Sequence, residues 1–456
     1  MDGEENDSLL RLFTSLWAST ILISLVASPY WFDYVLLVNA LPVYADLALA
    51  AVALIALYRP SLKTLLLLLS AQVLETLYSM PNVPNHRTLM TFVSVAFLAS
   101  YLISAKKNKS PALHSNQFFP EAMKISRVTF IVVYFFAALA KMNTGYMDPS
   151  TSCSVKFYAN VVNWFPFLPE GKFFNSLSIY GPIVVEILVP IGLLSRRFRK
   201  KSILVGLLFH FVLALDLTKR FLNFSMVVSV LYLLFLDRSY LETLEEKWRR
   251  HIPEHAILFG FIILFGFGFF QVMFTATTHL IIVEHLLWTQ IFAGMFLAVY
   301  NSPPPTGNEK VPLSFLQIVI VVLVFINGSS PYLGTKTRTS FNMYSNLRIE
   351  PNFSNHYFMG PSLDPFGNLA DSVIIQKIEP ADSQSDDFKE GMRLTYFEFS
   401  RYLASQSDTK LNVTYSRKGE TLRADSENSL TPPSWIASKL LIYRPLGEAV
   451  VNECIW

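Results

Sequence analysis

Charged residues are scarce in this sequence. Of its 456 residues only 16% are Asp, Glu, Lys or Arg, whereas 52% are hydrophobic and the mean hydropathy is +0.38. Soluble domains carry about 25% charged residues. The formal net charge of +3 is too small to indicate a nucleic-acid partner. The composition therefore excludes an ordinary soluble protein and makes the lipid bilayer the expected environment.

Cysteine is scarce as well. With only Cys153 and Cys454, neither a zinc cluster nor a disulfide framework can form, although one bridge can. The histidines of the apolar segments do not recur at ligand spacing on one helix, so no metal site is predicted. No Ser or Cys lies in a recognised nucleophile elbow.

Hydrophobic residues gather into blocks that are long enough to cross a bilayer. The blocks hold about 17 to 24 residues, and a helix needs about 20 to cross the hydrocarbon layer. They are apolar on every face, whereas strands of a membrane barrel alternate apolar and polar residues. Helices are therefore predicted, with eleven candidate spans near 10–30, 43–58, 62–80, 88–104, 125–143, 176–195, 201–217, 221–236, 256–275, 279–300 and 313–328.

Basic residues predict the orientation of these spans, because short loops rich in Lys and Arg stay on the cytosolic side. One set of alternate loops and their margins contains most of them: Arg59, Lys63, Lys106, Lys107, Lys109, Arg196, Arg197, Arg199, Lys200, Lys201, Lys247, Arg249 and Arg250. An odd number of spans then places the N-terminus in the cytosol and the chain after residue 328 outside it.

The chain changes character after residue 328. Ser372 to Ile378 reads as a strand, and 411–417 followed by 420–423 reads as a hairpin turned at Lys418-Gly419. The segment Phe388 to Ser405 has helical spacing of its apolar residues. The predicted fold is thus a polytopic all-α transmembrane bundle of about 9 to 11 spans (1–328) with a small α+β extracytosolic domain (329–456).

Ionisable residues inside the predicted spans are functional candidates, because each costs several kcal/mol at the bilayer centre, roughly 2.5–3.5 on insertion scales. They are Glu75, Lys141, Glu186, His210, Glu284 and His285. Lys141 stands near the outer end of its span. Enclosed by Tyr134, Phe135 and Phe136, it would lose hydration, which disfavours the ammonium form and prepares the amine to accept a proton. The alternative is a lysine whose long stem reaches the interface.

Glu186 and His210 are predicted to work with Lys141. Glu186 lies between Pro182 and Pro190 in an apolar span and needs a partner, for which Lys141 and His210 are the candidates. The two could orient Lys141 or relay its proton. A structural cluster of mutually neutralising groups is the alternative for Glu186, and a hydrogen-bonded core histidine is the alternative for His210.

Several of these residues lie in motifs that resemble a known family. The motifs are, in order, Asn85-His86, Tyr134-Phe-Phe-Ala-Ala-Leu-Ala-Lys141-Met-Asn, Val-Val-Glu186-Ile-Leu, Phe209-His210, Asn223-Phe-Ser-Met, and the segment from Pro331 to Arg348. Together they resemble the vitamin K-dependent γ-glutamyl carboxylase superfamily, and more closely its horizontally transferred transmembrane domain proteins.

This resemblance implies a cofactor and an activity. Lys141 matches the base that deprotonates vitamin K hydroquinone, and Asn85 and His86 match an element at the active site that contacts substrate or intermediate. The resemblance thus implies a quinol cofactor, an epoxidase-type activity coupled to carboxylation, which is lyase chemistry, and a peptide or protein substrate on the extracytosolic side. The rival interpretation is a non-catalytic binding or maturation factor of the same fold. A transporter is less favoured because the sequence shows no internal repeat.

The two cysteines both fall outside the cytosol in the predicted topology. If that compartment is oxidising, a thiol pair there forms a disulfide. Cys153 and Cys454 are therefore predicted to pair and to tie the C-terminus to the loop after Lys141, with two unpaired buried thiols as the alternative.

Overall fold

The structure, a computed structural model, describes most of the chain. It covers residues 8–26, 41–108, 115–216, 221–251, 277–303, 313–380, 388–406, 411–426, 430–447 and 454. The predicted span at 256–275 lies outside these residues. Each of the other ten predicted spans overlaps a helix.

Long helices make up most of the described chain before residue 334. They are α1 (Ser8–Val26), α2 (Leu41–Tyr58), α3 (Leu62–Ser79), α4 (Asn85–Asn108) and α5 (Ser115–Ala140), then, after the short α6 (Thr144–Met147) and α7 (Cys153–Trp164), α8 (Lys172–Leu194), α9 (Arg196–Ala214), α10 (Phe221–Leu233), α11 (Arg238–His251), α12 (Thr277–Asn301) and α13 (Phe315–Leu333).

Five helices within the described residues are long and apolar enough to cross a membrane. They contribute the stretches Ser8–Leu25, Asn85–Lys107, Phe118–Ala140, Lys172–Leu194 and Phe315–Leu333. A sixth would result if α10 and α11, which are bent by 117° at their junction, formed one broken span. This set of helices is typical of a multi-pass membrane protein.

Two helices begin at a capping box, in which a side chain satisfies an amide left free by the first turn. Ser61 accepts from the Thr64 amide and Thr64 accepts from the Ser61 amide at the start of α3. Ser314 and Gln317 make the same exchange at the start of α13. These caps fix the first residue of each apolar helix.

Gly334 ends α13 in the left-handed conformation, with φ of +75°. A Cβ at this position would lie 2.8 Å from the Asp364 amide nitrogen. Only glycine combines this backbone angle with such a close approach. The turn sends the chain back over the end of the bundle.

The chain after α13 contacts one end of the helix bundle. The helix ends found there are ones that the predicted topology places outside the cytosol. The Phe341 amide donates to Asn85 at the start of α4, and the Thr144 amide, just beyond α5, donates to the Asn355 carbonyl. Lys439 donates to the carbonyls of Tyr78 and Met80 at the end of α3. The chain after α13 therefore covers this end.

The C-terminal region contains two small sheets. Strands β1 (Ile349–Glu350) and β2 (Phe353–Ser354) form one, and β3 (Ser372–Glu379), β4 (Arg393–Thr395), β5 (Asn412–Arg417) and β6 (Glu420–Asp425) form the other, with helices α14 (Tyr396–Ser405) and α15 (Trp435–Leu440). The larger sheet is antiparallel in the order β4-β3-β5-β6. The predicted strand at 372–378 and the hairpin turned at Lys418-Gly419 are confirmed.

The helix expected from Phe388 begins only at Tyr396, so that prediction was wrong for its first eight residues. Gly391 turns the chain with φ of +81°, and Arg393 to Thr395 pair with β3. Met392 and Leu394 are buried, and their spacing of two is that of a strand, because residues two apart on a helix point to opposite sides. Thr395 then caps α14 through the Glu398 amide.

Candidate functional site

Lys141 and Glu186 form a buried ion pair where α5 ends against the middle of α8. The Lys141 ammonium donates to both Glu186 oxygens, at 2.9 and 2.8 Å, and to the Ala137 carbonyl at 3.3 Å. The two side chains are only 8% and 10% exposed. Every ammonium proton thus has an acceptor. Lys141 is the partner that Glu186 needs, and it does not reach to solvent.

Glu186 reaches Lys141 because it lies on the inward face of α8. Ile179, Ile183, Glu186 and Val189 are buried at helical spacing, whereas Tyr180, Val184 and Leu188 on the other face are exposed. The exposed face is apolar, as expected of a helix that faces lipid.

His210 belongs to a separate chain of hydrogen-bonded side chains beside the same cavity as the pair. Its Nε2 lies 2.6 Å from the Tyr134 hydroxyl, which lies 2.5 Å from the Tyr232 hydroxyl. His210 is 3% exposed, and its Nδ1 has no hydrogen-bond partner among the residues that the structure describes. The two tyrosine hydroxyls were missed by sequence reasoning, which treated Tyr134 as an apolar neighbour of Lys141. A tyrosine in an otherwise apolar span was the signal.

The predicted aromatic enclosure of Lys141 is wrong at two of its three positions. Tyr134 lines the cavity beside Lys141, but Phe135 is 51% exposed and Phe136 packs against Phe325 of α13. Helical geometry explains the difference, because residues 134 and 141 are two turns apart on one face and residue 135 is rotated by about 100° from its neighbour.

Lys141, Glu186 and His210 line one cavity of about 60 Å³. Its other walls are mainly apolar and come from α5, α6, α7, α8, α9, α10 and the segment after α13, including Phe157, Leu213, Phe221, Met343 and Tyr344. A cavity of this size admits a few water molecules, since each requires about 10–15 Å³.

A disulfide supports the outer wall of this cavity. Cys153 and Cys454 are joined, with their Cα atoms 5.3 Å apart, so the predicted pairing is confirmed. Cys153 packs with Phe157, Phe221 and Tyr344, which line the cavity. The bridge thus fixes the C-terminus against the wall.

The segment after α13 closes the cavity through asparagine contacts. Asn143 donates to the Ser345 carbonyl at 2.6 Å, and Asn346 accepts from the Cys153 amide at 2.9 Å. Phe341, Tyr344 and Asn346 have φ of 60°, 51° and 54°. Such angles are strained for residues other than glycine and persist where surrounding contacts determine them. This backbone strain is a reason to test the segment for a functional role.

Asn85 and His86 do not line this cavity. Asn85 accepts from the Phe341 amide at 2.8 Å, and His86 Nε2 lies 3.1 Å from the Ser24 hydroxyl. Asn85 therefore anchors the segment that closes the cavity. Contact of either residue with a substrate stays a prediction.

A second buried ionic cluster, which sequence reasoning did not assemble, joins α2, α3 and α4. Arg87 donates to Glu75 at 2.6 Å and to Asp46 at 3.2 Å, and Ser79 also donates to Glu75. Sequence reasoning treated Arg87 as a loop charge. Glu75 reaches it because the turn between α3 and α4 is short. The cluster satisfies the carboxylate of Glu75 without any ligand.

His285 is not among the residues that line the cavity. His285 contacts the Ala214 carbonyl through Nε2 at 2.8 Å, and the side chain of Glu284 lies outside the described part of the molecule. Among the described residues, no group of three or more His, Cys, Asp or Glu side chains could hold a metal ion. Lys336 is a largely buried lysine away from the site, and burial lowers its pKa to about 8.

Comparison with known proteins adds no assignment to this geometry. No protein-family model, curated protein or solved structure matches the chain.

Proposed function

We propose that this chain is a membrane protein in which the buried Lys141–Glu186 pair exchanges a proton with an acidic ligand bound between the helices. The observation that carries the proposal is the placement of the pair and His210 on the wall of one mainly apolar cavity. Burial of an ion pair costs more than its attraction returns unless geometry is favourable, so its retention in a cavity wall favours a chemical role.

The proton balance of the site limits what it can do. The ammonium protons of Lys141 all have acceptors, and both Glu186 oxygens are engaged by Lys141. A ligand O–H can break only if the pair gains the proton. If the pair first neutralises by internal transfer, the Lys141 amine is the base. The products are the same whether this internal transfer comes first or the ligand gives its proton directly to Glu186. They are the Lys141 ammonium, a protonated Glu186 and a ligand anion held by the ammonium.

The resemblance of the sequence motifs suggests the wider setting of this site. In this proposal the chain is a horizontally transferred transmembrane domain protein with about 9 to 11 spans, a cytosolic N-terminus and an extracytosolic C-terminal domain. The ligand is a quinol, and a peptide or protein substrate approaches from the extracytosolic side. The covering of one end of the bundle by the chain after α13 supports this arrangement.

A quinol does not fit the cavity in the closed form that the structure describes. The cavity measures about 60 Å³, whereas benzene alone occupies an engineered cavity of about 150 Å³. Binding a quinol therefore requires side chains or helices to move.

The small cavity also favours a second function from another class. A non-catalytic membrane factor would use the Lys141–Glu186 pair to fix the packing of α5 against α8, and the C-terminal region to contact a partner or lipid. The complete pairing of Lys141 supports this alternative. The catalytic function predicts that Lys141→Met abolishes an activity, whereas the non-catalytic function does not.

Quinol turnover separates the two functions. We expect purified protein in lipid nanodiscs to oxidise or epoxidise a naphthoquinol such as menadiol under oxygen. Lys141→Met should lower the rate at least 100-fold, because general-base catalysis contributes about 10²–10⁴-fold. The product is measured by chromatography. Size-exclusion chromatography checks that each variant is folded.

Lys336→Met is the matched control, because it removes another largely buried lysine that does not line the cavity. It is expected to keep the wild-type rate. Absence of turnover by the wild type with a panel of quinols would reject the carboxylase-like chemistry. Equal rates for wild type and Lys141→Met would reject Lys141 as the base.

A further inference from the structure

The short helix α15 carries three exposed apolar side chains. Trp435, Ile436 and Leu440 are 75%, 63% and 53% exposed, and none of the six residues of the helix is buried within the described part of the molecule. Isolated helices shorter than about 12–15 residues are marginal in water, and most helices in proteins are stabilised by packing of an apolar face. The apolar side chains of α15 therefore need a partner outside the described residues.

Lys439 attaches α15 to the end of α3. Its ammonium donates to the Tyr78 carbonyl at 2.6 Å and to the Met80 carbonyl at 2.9 Å, and it lies 5.7 Å from the centre of the Tyr78 ring. The last carbonyls of a helix lack partners within the helix and attract cations. This contact fixes the level of α15 at the end of the predicted span 62–80.

An exposed apolar face of α3 leads to the same contact. Leu67, Leu74 and Tyr78 are seven and then four residues apart, so they lie on one face of the helix, and all three are exposed. A continuous exposed apolar surface marks a site of contact with a protein or a membrane. On a predicted span this face is the one that contacts lipid, and Tyr78 is its last residue before Lys439.

Trp435 continues this surface beyond the end of α3. It lies four residues before Lys439 and therefore on the same face of α15, the face that contacts α3. Trp, Tyr and Lys are typical of the boundary between hydrocarbon and water, because each has an apolar body and a polar tip. This boundary therefore passes through the contact between α15 and α3.

We propose that α15 lies in the membrane surface at this end of the bundle, with Trp435 and Ile436 among the lipid headgroups and Lys439 holding the helix on α3. Short apolar faces that lie in the membrane plane enter the headgroup region in this way. The bilayer is the occupant because the adjoining face of α3 contacts lipid, which a protein partner or a second copy would have to displace. The C-terminal region thus has a membrane contact besides α13, whether or not the protein turns over a quinol.

Spin-label accessibility in lipid nanodiscs tests this placement. The sequence has two cysteines, and they are joined, so Ile436→Cys supplies a free thiol for the label. Oxygen dissolves in lipid, whereas a charged nickel chelate stays in water. We expect the label at residue 436 to collide more often with oxygen than with the chelate.

Ile374→Cys is the matched control, because it replaces an exposed isoleucine of the C-terminal sheet. The residues opposite Ile374 on the neighbouring strands are Arg393 and Ser416, so this face of the sheet is polar. A label there is expected to collide more often with the chelate than with oxygen. The order of the two rates should therefore be opposite at residues 374 and 436.

The role of Lys439 is tested with the label at residue 436. Lys439→Ala should shift the ratio of the two rates toward the chelate, whereas Lys377→Ala, which removes an exposed lysine of β3, should leave it unchanged. A label at residue 436 that prefers the chelate would overturn the placement. Protection from both reagents would also overturn it, because protein rather than lipid would then cover α15. An unchanged ratio in Lys439→Ala would reject Lys439 as the contact that holds the helix.

Discussion

Replacing Lys141 by Met is expected to destabilise the protein by about 3–5 kcal/mol, because it leaves the Glu186 carboxylate buried without its counterion. Glu186→Met should cost a similar amount, since it strands the ammonium. The double variant Lys141→Met/Glu186→Met should recover most or all of the loss, because packed apolar side chains often replace a buried ion pair without cost. Thermal unfolding in one detergent, followed by intrinsic fluorescence, measures all three.

The double variant also separates stability from chemistry. It should be as stable as the wild type and inactive in quinol turnover, so any loss of activity cannot be attributed to misfolding. A cost below about 1 kcal/mol for either single variant would contradict a desolvated pair, because that is the range of exposed pairs. If the double variant does not regain the lost stability, the two charged side chains stabilise the protein by more than neutralising each other.

Loss of the disulfide is expected to cost about 2–5 kcal/mol, as for other native bridges. The bridge joins residues 301 positions apart and lies against the cavity wall formed by Phe157, Phe221 and Tyr344. Cys153→Ser/Cys454→Ser should therefore unfold at a lower temperature than the wild type. Reduction of the wild type should produce the same shift and leave the double variant unchanged.

A thiol count provides the control for this result. Denatured, unreduced wild type should show no reactive thiol, and reduction should reveal two. Two reactive thiols before reduction would contradict the bridge. A double variant that unfolds at the wild-type temperature would show that the contacts of Asn143 and Asn346 hold the segment without it.

The helices could be predicted from the sequence because the bilayer imposes a simple rule. Each backbone amide must be satisfied within its own segment, so apolar length alone indicates a helix. The hairpin turned at Lys418-Gly419 was equally accessible, since a turn residue separates two alternating runs. The start of α14 was not, because Leu394 and Phe397 are spaced as on one face of a helix, and pairing with β3 is what assigns Leu394 to a strand.

The site was only partly predictable, because side chains from six helices and a distant segment meet there. The cost of burying Glu186 required a partner, which left Lys141 and His210 as candidates, and the structure pairs Glu186 with Lys141. Nothing in the sequence, however, indicates that the Tyr134 hydroxyl contacts both His210 and Tyr232. Nor does it show that Asn85 holds the closing segment through Phe341. Such contacts depend on how the helices pack.

Infrared difference spectroscopy of the reconstituted protein tests the central claim, that the Lys141–Glu186 pair takes a proton from an acidic ligand. Menadiol is the probe. We expect its addition to produce a band of a protonated carboxyl group in the wild type that is absent in Glu186→Gln and in Lys141→Met/Glu186→Met, and present in Lys336→Met. Bound menadiol with no such band, or the same band in Glu186→Gln, would contradict the account.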